Sequence, residues 1–208
     1  MMRITNITAI LLAAGQGTRM KSRLPKVLHQ LLGQPLISYP IQTLKTINIT
    51  DILVVVGYQA DKVMEALAGE GVRFVVQEPQ LGTGHAVQVA MKEVPAEADT
   101  VMVLCGDVPL ISAESIENLR RWHEERKSAV TVQTVELPDG AHYGRVVRDE
   151  TGQVLKVVQA KDAAHRPEIL AIREINTGAY CFDAHFLRRA LGKLEPSPVT
   201  GEIYLTDM

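Results

Sequence analysis

Two different arrangements of strands and helices divide this chain of 208 residues. In the first half, short runs of β-branched residues alternate with helical patterns, which predicts a mostly parallel sheet with helices on both faces. These strands are apolar at successive positions, as a sheet buried on both faces requires. The predicted strands are Ile7–Ala13, Ile52–Val56, Arg73–Val76 and Val101–Leu104. The predicted helices are Leu36–Thr46, Asp61–Leu67, Gly84–Lys92 and Ser112–Arg126.

The second half predicts an antiparallel subdomain, because three strands follow one another with turn signals between them. Pro138-Asp139-Gly140 and Glu150-Thr151-Gly152 are hairpin-like breaks. A polar stretch, 160–172, predicts a loop with one helical turn. The predicted elements are strands Ala129–Val135, Gly144–Arg148, Val154–Val158 and Ile175–Phe182 and helix Ala184–Leu194. The expected fold is α/β and Rossmann-like, with this subdomain as a second wall over a site on the first half.

Composition narrows the class of protein. The length suits one domain, and 46% apolar and 22% charged residues are ordinary for a globular chain. A net charge of −2 gives no general basic surface, so we expect no nucleic-acid partner. No run approaches membrane-spanning length, so we expect no membrane partner. Cys105 and Cys181 lie in strand-like apolar runs, which predicts buried free thiols and a cytoplasmic location.

A glycine-rich loop with several cations follows the first predicted strand. Gly15 and Gly17 would let backbone N–H groups approach an anion, and cations follow at Arg19, Lys21 and Lys26. A loop of this kind at the carboxyl end of a strand predicts a phosphate site. The alternative is an ordinary strand-to-helix turn with solvated basic residues.

Two common phosphate motifs do not fit this loop. The dinucleotide fingerprint needs a third glycine, and that position is Met20. The P-loop pattern matches from Gly15 to Ser22 except at the same methionine. Since the missing glycine is where the backbone wraps the phosphates, both readings are disfavoured.

Other predicted strand ends also carry polar groups. Asp107, directly after Gly106, is a candidate Mg²⁺ ligand, because Mg²⁺ often takes one or two carboxylates and completes its shell with phosphate oxygens and water. The alternative is an aspartate that caps a turn or helix. Gln77 precedes a Gly82-Thr83-Gly84 loop and offers an amide that would read a base edge. Phosphate cations, one metal carboxylate and hydrogen-bonding loops suit phosphoryl or nucleotidyl transfer, which depends mostly on positioning and electrostatics.

Seven short motifs occur together in the order found in one enzyme family. They are Leu12–Met20, Leu24–His29, Gln77 with Leu81–Ala86, Gly106–Leu110, Tyr143–Arg145, Lys161–Ala163 and Glu174–Gly178. With them the whole chain resembles the sugar-nucleotide pyrophosphorylases. Within that family it is most similar to the uridylyltransferase domain of the bacterial bifunctional N-acetylglucosamine-1-phosphate uridylyltransferase/glucosamine-1-phosphate N-acetyltransferases.

The resemblance implies roles for individual residues. Arg19 and Lys26 would be catalytic, holding the triphosphate of UTP, and Asp107 would bind Mg²⁺. The residues implied in nucleotide binding are Leu12, Ala13, Ala14, Gly15, Gly17, Thr18, Gln77, Gly82, Thr83 and Gly106. The residues implied on the sugar side are Gly144, Gln159, Asn176 and Thr177.

The reaction implied by the resemblance transfers UMP from UTP to N-acetylglucosamine 1-phosphate. The sugar phosphate would attack the α-phosphorus in line, giving pyrophosphate and UDP-N-acetylglucosamine, a precursor of the peptidoglycan cell wall. One alternative is another sugar-1-phosphate nucleotidyltransferase that uses dTTP or glucose 1-phosphate, although Gly82–Ala86 argues against it. Another is a nucleotide-binding module without turnover.

Two departures from the family pattern lead to further expectations. Gln159 stands where the family has a glutamate that holds the sugar, which predicts weaker or altered sugar binding. The resemblance places a second metal ligand, an asparagine, and a β-helical acetyltransferase domain beyond residue 208. We therefore expect residues 1–208 to be a truncated pyrophosphorylase domain with uncertain turnover and no acetyl transfer. The family forms trimers through the β-helical domain, so we expect this chain to be a monomer.

Overall fold

A computed structural model describes residues 6–17 and 20–208. Its strands are β1 Ile7–Ala13, β2 Gln30–Leu31, β3 Gln34–Pro35, β4 Ile52–Val56, β5 Arg73–Val76, β6 Thr100–Cys105, β7 Val130–Glu136, β8 Arg145–Arg148, β9 Val154–Val158 and β10 Glu174–Asp183. Its α-helices are α1 Ser38–Thr46, α2 Ala60–Ala66, α3 Thr83–Ala90, α4 Ala113–Arg126, α5 Pro167–Leu170 and α6 Ala184–Ala190. Short 3₁₀ turns lie at Lys26–Leu28, Leu191–Lys193 and Leu205–Asp207.

The described strands form one large mixed sheet and a small β2–β3 ribbon. The large sheet has the order β5-β4-β1-β6-β10-β8-β9, and β7 pairs with β10 beside this path. Strands β5, β4, β1 and β6 lie side by side in that order, and each pair of neighbours is parallel. Strand β10 runs antiparallel to β6, β7 and β8, and β8 runs antiparallel to β9. The predicted α/β fold with an antiparallel subdomain is therefore confirmed.

The core lies on both faces of the sheet, because successive residues of a strand point to opposite sides. Leu11 of β1 packs on one face with Ile41 of α1 and Ile116 of α4. Its neighbour Ile10 packs on the other face with Val87 of α3 and Leu187 of α6. This two-sided burial explains why β1 is a continuous apolar run. No helix in the described ranges combines the length and apolar content that crossing a membrane demands.

Most predicted elements are confirmed with boundaries shifted by at most two residues. The exception among the helices is α6, which continues as the 3₁₀ turn Leu191–Lys193. The expected helical turn in 160–172 is α5. The first expected hairpin is wrong, because β7 and β8 both pair with β10. The ten-residue β10 offers two edges, and residues 140–143 wrap around the Arg145 side chain instead of forming a tight turn.

Candidate active site

The carboxyl ends of β1, β4 and β6 meet at one edge of the sheet, and backbone hydrogen bonds join the loops that follow them. The N–H of Gly106 donates to the carbonyl of Leu12 at 3.0 Å. The N–H of Tyr58 donates to the carbonyl of Ala14 at 3.1 Å. The N–H of Gln77 donates to the carbonyl of Val56 at 2.8 Å. The structure thus brings the loops after β1, β4, β5 and β6 to the edge where open α/β sheets bind ligands.

Gly17 of the glycine loop packs against the aliphatic part of the Lys26 side chain. Gly17 has a φ of +66°, and a Cβ on it would lie 2.6 Å from the Cβ of Lys26. Lys26 begins a 3₁₀ turn whose next two residues, Val27 and Leu28, are buried and anchor it. A side chain at position 17 would therefore push Lys26 out of place. The predicted residues Thr18 and Arg19 lie outside the described residues.

Asp107 and Lys26 form an ion pair across this edge. The Lys26 Nζ contacts Asp107 Oδ2, and their side chains are 34% and 23% exposed. Helix α4 is capped by another residue, because the Ser112 hydroxyl accepts from the N–H of Ser115 at 3.1 Å. Asp107 is therefore not the cap of α4, whereas the alternative of a turn aspartate stays open, because residues 106–107 form a turn.

Gln77 is buried, with 3% exposure, and its amide supports the next loop. Its Nε2 donates to the carbonyl of Gly82 at 2.9 Å and lies 3.2 Å from His85 Nδ1. Both amide hydrogens are thereby used, and His85 Nδ1 accepts one of them. No described residue donates to Gln77 Oε1, which remains an acceptor at this edge.

The loop before α3 also packs against a segment near the end of the chain. The N–H of Ile203 donates to the carbonyl of Leu81 at 2.7 Å, and the N–H of Gly84 donates to the carbonyl of Ile203 at 2.8 Å. Gly82 has a φ of +107°, and a Cβ there would lie 2.6 Å from the Ile203 carbonyl oxygen. The hydroxyl of Thr83 accepts from the N–H of Leu205 at 3.1 Å. This close backbone contact explains the glycine at position 82.

The residues predicted for the sugar side come together at the start of β10. The N–H of Asn176 donates to the carbonyl of Gly144 at 2.9 Å. A Cβ on Gly144 would lie 3.6 Å from both polar atoms of the Gln159 amide, so these two residues are neighbours. Gln159 Nε2 donates to the Thr206 hydroxyl at 3.0 Å. The hydroxyl of Thr177 donates to the carbonyl of Gln133 at 2.8 Å.

A bulge in β10 links the sugar-side residues to the Asp107 strand. The pairing with β7 shifts register between Asn176 and Tyr180, and the Asn176 side chain bridges the bulge by accepting from Gly178 N–H and donating to the Tyr180 hydroxyl. A Cβ on Gly178 would lie 2.7 Å from Cys105 Sγ. Burial, with the charge of Asp107, raises the pKa of the Cys105 thiol to about 12, so it stays protonated. Cys105 therefore contributes packing between β6 and β10.

Two cavities differ in whether predicted site residues line them. One of about 260 Å³ lies between the β6 loop and the β10 bulge and is lined by Cys105, Val108 and Thr177. A larger one of about 800 Å³ lies among α4, β7 and β9, with Trp122 on its wall, and holds none of the predicted site residues. The volume of a cavity alone therefore does not identify the site. The strand edge is the better candidate because it holds a paired cation and carboxylate, Lys26 and Asp107.

Most of the chain matches one known protein family. Residues 9–191 match the MobA-like NTP transferase domain, which covers most of the chain. The chain belongs to that family. It is accordingly a nucleotidyltransferase domain, and the glycine loop, Lys26 and Asp107 all lie within the matched range.

Curated relatives of this NTP transferase domain are named "Bifunctional protein GlmU". One from Brevibacillus brevis is 47% identical over 99% of this chain and 44% of its own length. One from Listeria monocytogenes is 44% identical over 96% of this chain and 43% of its own length. One from Desulfotalea psychrophila is 43% identical over 97% of this chain and 59% of its own length. The chain spans less than half the length of the first two relatives.

A solved structure confirms the fold. A Bacillus anthracis protein described as a glucose-1-phosphate thymidylyltransferase, crystallised with sucrose, superposes with a TM-score of 0.77. The match covers 97% of this chain and 80% of that chain at 23% sequence identity. At that identity the similarity concerns the fold alone.

Three features of the site are missing from the sequence prediction. The buried Arg145 organises residues 140–143, Cys105 packs against the β10 bulge, and residues 203–206 contact both the Gly82 loop and Gln159. The contacts of Cys105 and of residues 203–206 join residues that are far apart in the chain. Arg145 is buried, although charged side chains are usually exposed. The small-residue positions Gly82 and Gly178 are the local signals that indicate close packing there.

Proposed function

We propose that this domain transfers UMP from UTP to N-acetylglucosamine 1-phosphate, releasing pyrophosphate and UDP-N-acetylglucosamine for cell-wall synthesis. The observation that carries the proposal is the contact between Lys26 and Asp107 at the carboxyl edge of the parallel strands. A cation of the kind that binds phosphate thus lies beside a carboxylate of the kind that binds Mg²⁺, in a chain that belongs to an NTP transferase family. The similarity to GlmU proteins over 96% or more of the chain supports the choice of substrates.

The chemistry of Asp107 fits Mg²⁺. Its carboxylate is a hard oxygen donor, it is partly exposed, and it already receives a cationic group, the Lys26 ammonium. Mg²⁺ supplies charge neutralisation at phosphate oxygens, and one carboxylate is enough when phosphates and water complete its shell. We propose that Asp107 is the ligand that this chain contributes.

We propose that the β1 loop and the β5 loop hold the nucleotide between them. Backbone N–H groups at Gly15 and Gly17 would face the phosphates, with the cations Lys26 and Arg19 neutralising them. Gln77 Oε1 would accept the N3–H of uracil, since both hydrogens of its amide are already engaged. The neighbouring residues proposed for nucleotide contacts are Leu12, Ala13, Ala14, Thr18, Gly82, Thr83 and Gly106.

The sugar phosphate would enter from the antiparallel subdomain. Gly144, Gln159 and Asn176 are joined there by hydrogen bonds and close packing, and Thr177 lines the small cavity beside the β6 loop. The attacking phosphate is already anionic, so no general base is required. The chain's own contribution is to orient the phosphate for in-line attack and to stabilise the charge on the departing pyrophosphate, mainly through Lys26.

A substrate panel tests the proposal. Pyrophosphate release is measured with UTP or dTTP, each paired with N-acetylglucosamine 1-phosphate or glucose 1-phosphate, with Mg²⁺ present. We expect the highest kcat/KM for UTP with N-acetylglucosamine 1-phosphate. A preference for dTTP or glucose 1-phosphate would replace the proposed substrates. UTP binding without turnover of any pair would reduce the function to that of a nucleotide-binding module.

Exchanging Gln159 for glutamate is expected to lower the KM for the sugar phosphate. A charged acceptor forms a hydrogen bond about twice as strong as a neutral amide does. Glutamate can also keep the contact with Thr206, because the hydroxyl can donate where it now accepts. A gain of about 1 kcal/mol corresponds to a KM roughly fivefold lower. Steady-state kinetics at saturating UTP measures it, and an unchanged KM would remove Gln159 from the sugar side.

A further inference from the structure

Arg145 is a charged residue buried inside the antiparallel subdomain. It is only 2% exposed, and its guanidinium is surrounded by backbone carbonyls. Nη1 donates to Gly140 at 2.9 Å and also to Tyr143, Nη2 donates to Ala141 at 3.2 Å, and Nε donates to Leu170 at 3.3 Å. Within 6–17 and 20–208, no carboxylate forms an ion pair with it.

Such a buried cation is costly unless every N–H group is satisfied. The planar, five-donor guanidinium can hold several carbonyls at fixed directions, which a lysine ammonium cannot do. Three of the four carbonyls come from residues 140–143, so the side chain determines the path of that loop. Gly140 is part of this fit, because a Cβ there would lie 2.5 Å from Arg145 Cζ.

The loop that Arg145 holds leads directly into the sugar side of the site. Arg145 faces Ile175 in the β8–β10 pairing, and the preceding carbonyl, that of Gly144, accepts from Asn176. The same glycine packs against Gln159 and Val157. A displacement of the guanidinium would therefore move Gly144 relative to Asn176 and Gln159 together.

We propose that Arg145 is a positioning residue for the sugar phosphate, and that it acts through Gly144 without touching the substrate. The proposal rests on the proposed function, because it assigns a role on the sugar side of that site. The proposed role of Arg145 concerns the sugar phosphate and not the nucleotide. The nucleotide loops after β1, β5 and β6 make no hydrogen bond to Arg145 in the part of the chain that the structure describes.

Three variants and one matched control test this role. Arg145→Ala removes the guanidinium, Arg145→Lys keeps the charge but not the planar fork, and Gly140→Ala pushes the guanidinium aside. The control is Arg148→Ala on the same strand, whose exposed guanidinium pairs with Glu174 outside the loop. For each variant, kcat is measured together with the KM for the sugar phosphate at saturating UTP, the KM for UTP at saturating sugar phosphate, and the melting temperature.

We expect Arg145→Ala and Gly140→Ala to lower kcat/KM for the sugar phosphate by roughly tenfold to a hundredfold, since a shift near 1 Å can cost that much. The KM for UTP should stay close to that of the wild type, Arg145→Lys should restore part of the loss, and Arg148→Ala should change neither value. If Arg145→Ala fails to fold, the kinetic constants of Gly140→Ala and Arg145→Lys test the proposal in its place.

Two kinds of failure are distinguishable. An active wild type whose folded variants keep the sugar-phosphate kcat/KM, or raise the KM for UTP as much as the KM for the sugar phosphate, would overturn the role of Arg145 alone. A wild type that turns over no pair in the substrate panel would overturn the proposed function, and the assignment of Arg145 would fall with it.

Discussion

Asp107→Asn is expected to lose nearly all turnover while the protein stays folded. The substitution keeps the size and shape of the side chain, removes the charge that would hold Mg²⁺ and replaces one acceptor oxygen with an NH₂ group. Neutralising charge on a transferring phosphoryl group is worth several kcal/mol, and each 1.36 kcal/mol is tenfold in rate, so kcat should fall by about 100-fold or more. Pyrophosphate release at saturating substrates measures the effect.

The fold should tolerate this change because Asp107 is partly exposed and its ion pair with Lys26 is a third exposed on the lysine side. Exposed pairs contribute about 0–1 kcal/mol, so the melting temperature should move little. Asp61→Asn is the matched control, since Asp61 lies in the first turn of α2 and is not a member of the Lys26–Asp107 ion pair. Full activity of Asp107→Asn would refute the metal assignment. An equal loss of turnover in Asp61→Asn would show that the effect is not specific to Asp107.

Local signals explain how much of the fold could be predicted from the sequence. The apolar runs of β1 and β4 are continuous because both faces of those strands are buried, so these strands are recognisable without their partners. The glycine loop is also a local signal. The position of Asp107 follows from its place directly after a strand, because parallel neighbours end at one edge.

The antiparallel subdomain depends on contacts that a linear pattern does not contain. The hairpin predicted at Pro138-Asp139-Gly140 is wrong because β10 accepts β7 and β8 on its two edges. The sequence around Arg145 shows an arginine on a strand, which usually means a solvated side chain. Its burial depends on carbonyls contributed by residues 140–143 and Leu170, so only the assembled loop shows it.

The sugar side was less predictable than the nucleotide side for the same reason. Gln159 and Thr206 are 47 residues apart in sequence, so only the folded chain brings them within hydrogen-bond distance. The resemblance implies that Gly144, Gln159 and Asn176 all lie on the sugar side, and in the structure they are near one another. Their roles remain proposals that the substrate panel and the Gln159→Glu variant test.

Lys26→Gln is expected to reduce turnover and to strengthen binding of a divalent cation by the free protein. Removing one positioned donor at a developing charge typically costs about 100-fold to 1,000-fold in kcat. In the structure the Lys26 ammonium lies on the carboxylate that would bind the metal, so a cation must displace it. Without this competitor, Asp107 should bind Mn²⁺ more tightly when no nucleotide is present.

The gain in Mn²⁺ affinity should be modest because the pair is partly exposed. An exposed ion pair is worth up to about 1 kcal/mol, which corresponds to roughly a fivefold lower Kd. Electron paramagnetic resonance of free Mn²⁺ measures this without turnover, and Lys62→Gln on α2 controls for the change in net charge. An Mn²⁺ affinity equal to that of the wild type would show that Lys26 does not occupy Asp107 in solution. Unchanged turnover would remove Lys26 from the catalytic residues. The two readouts thus separate what Lys26 does to the metal site from what it does to the phosphates.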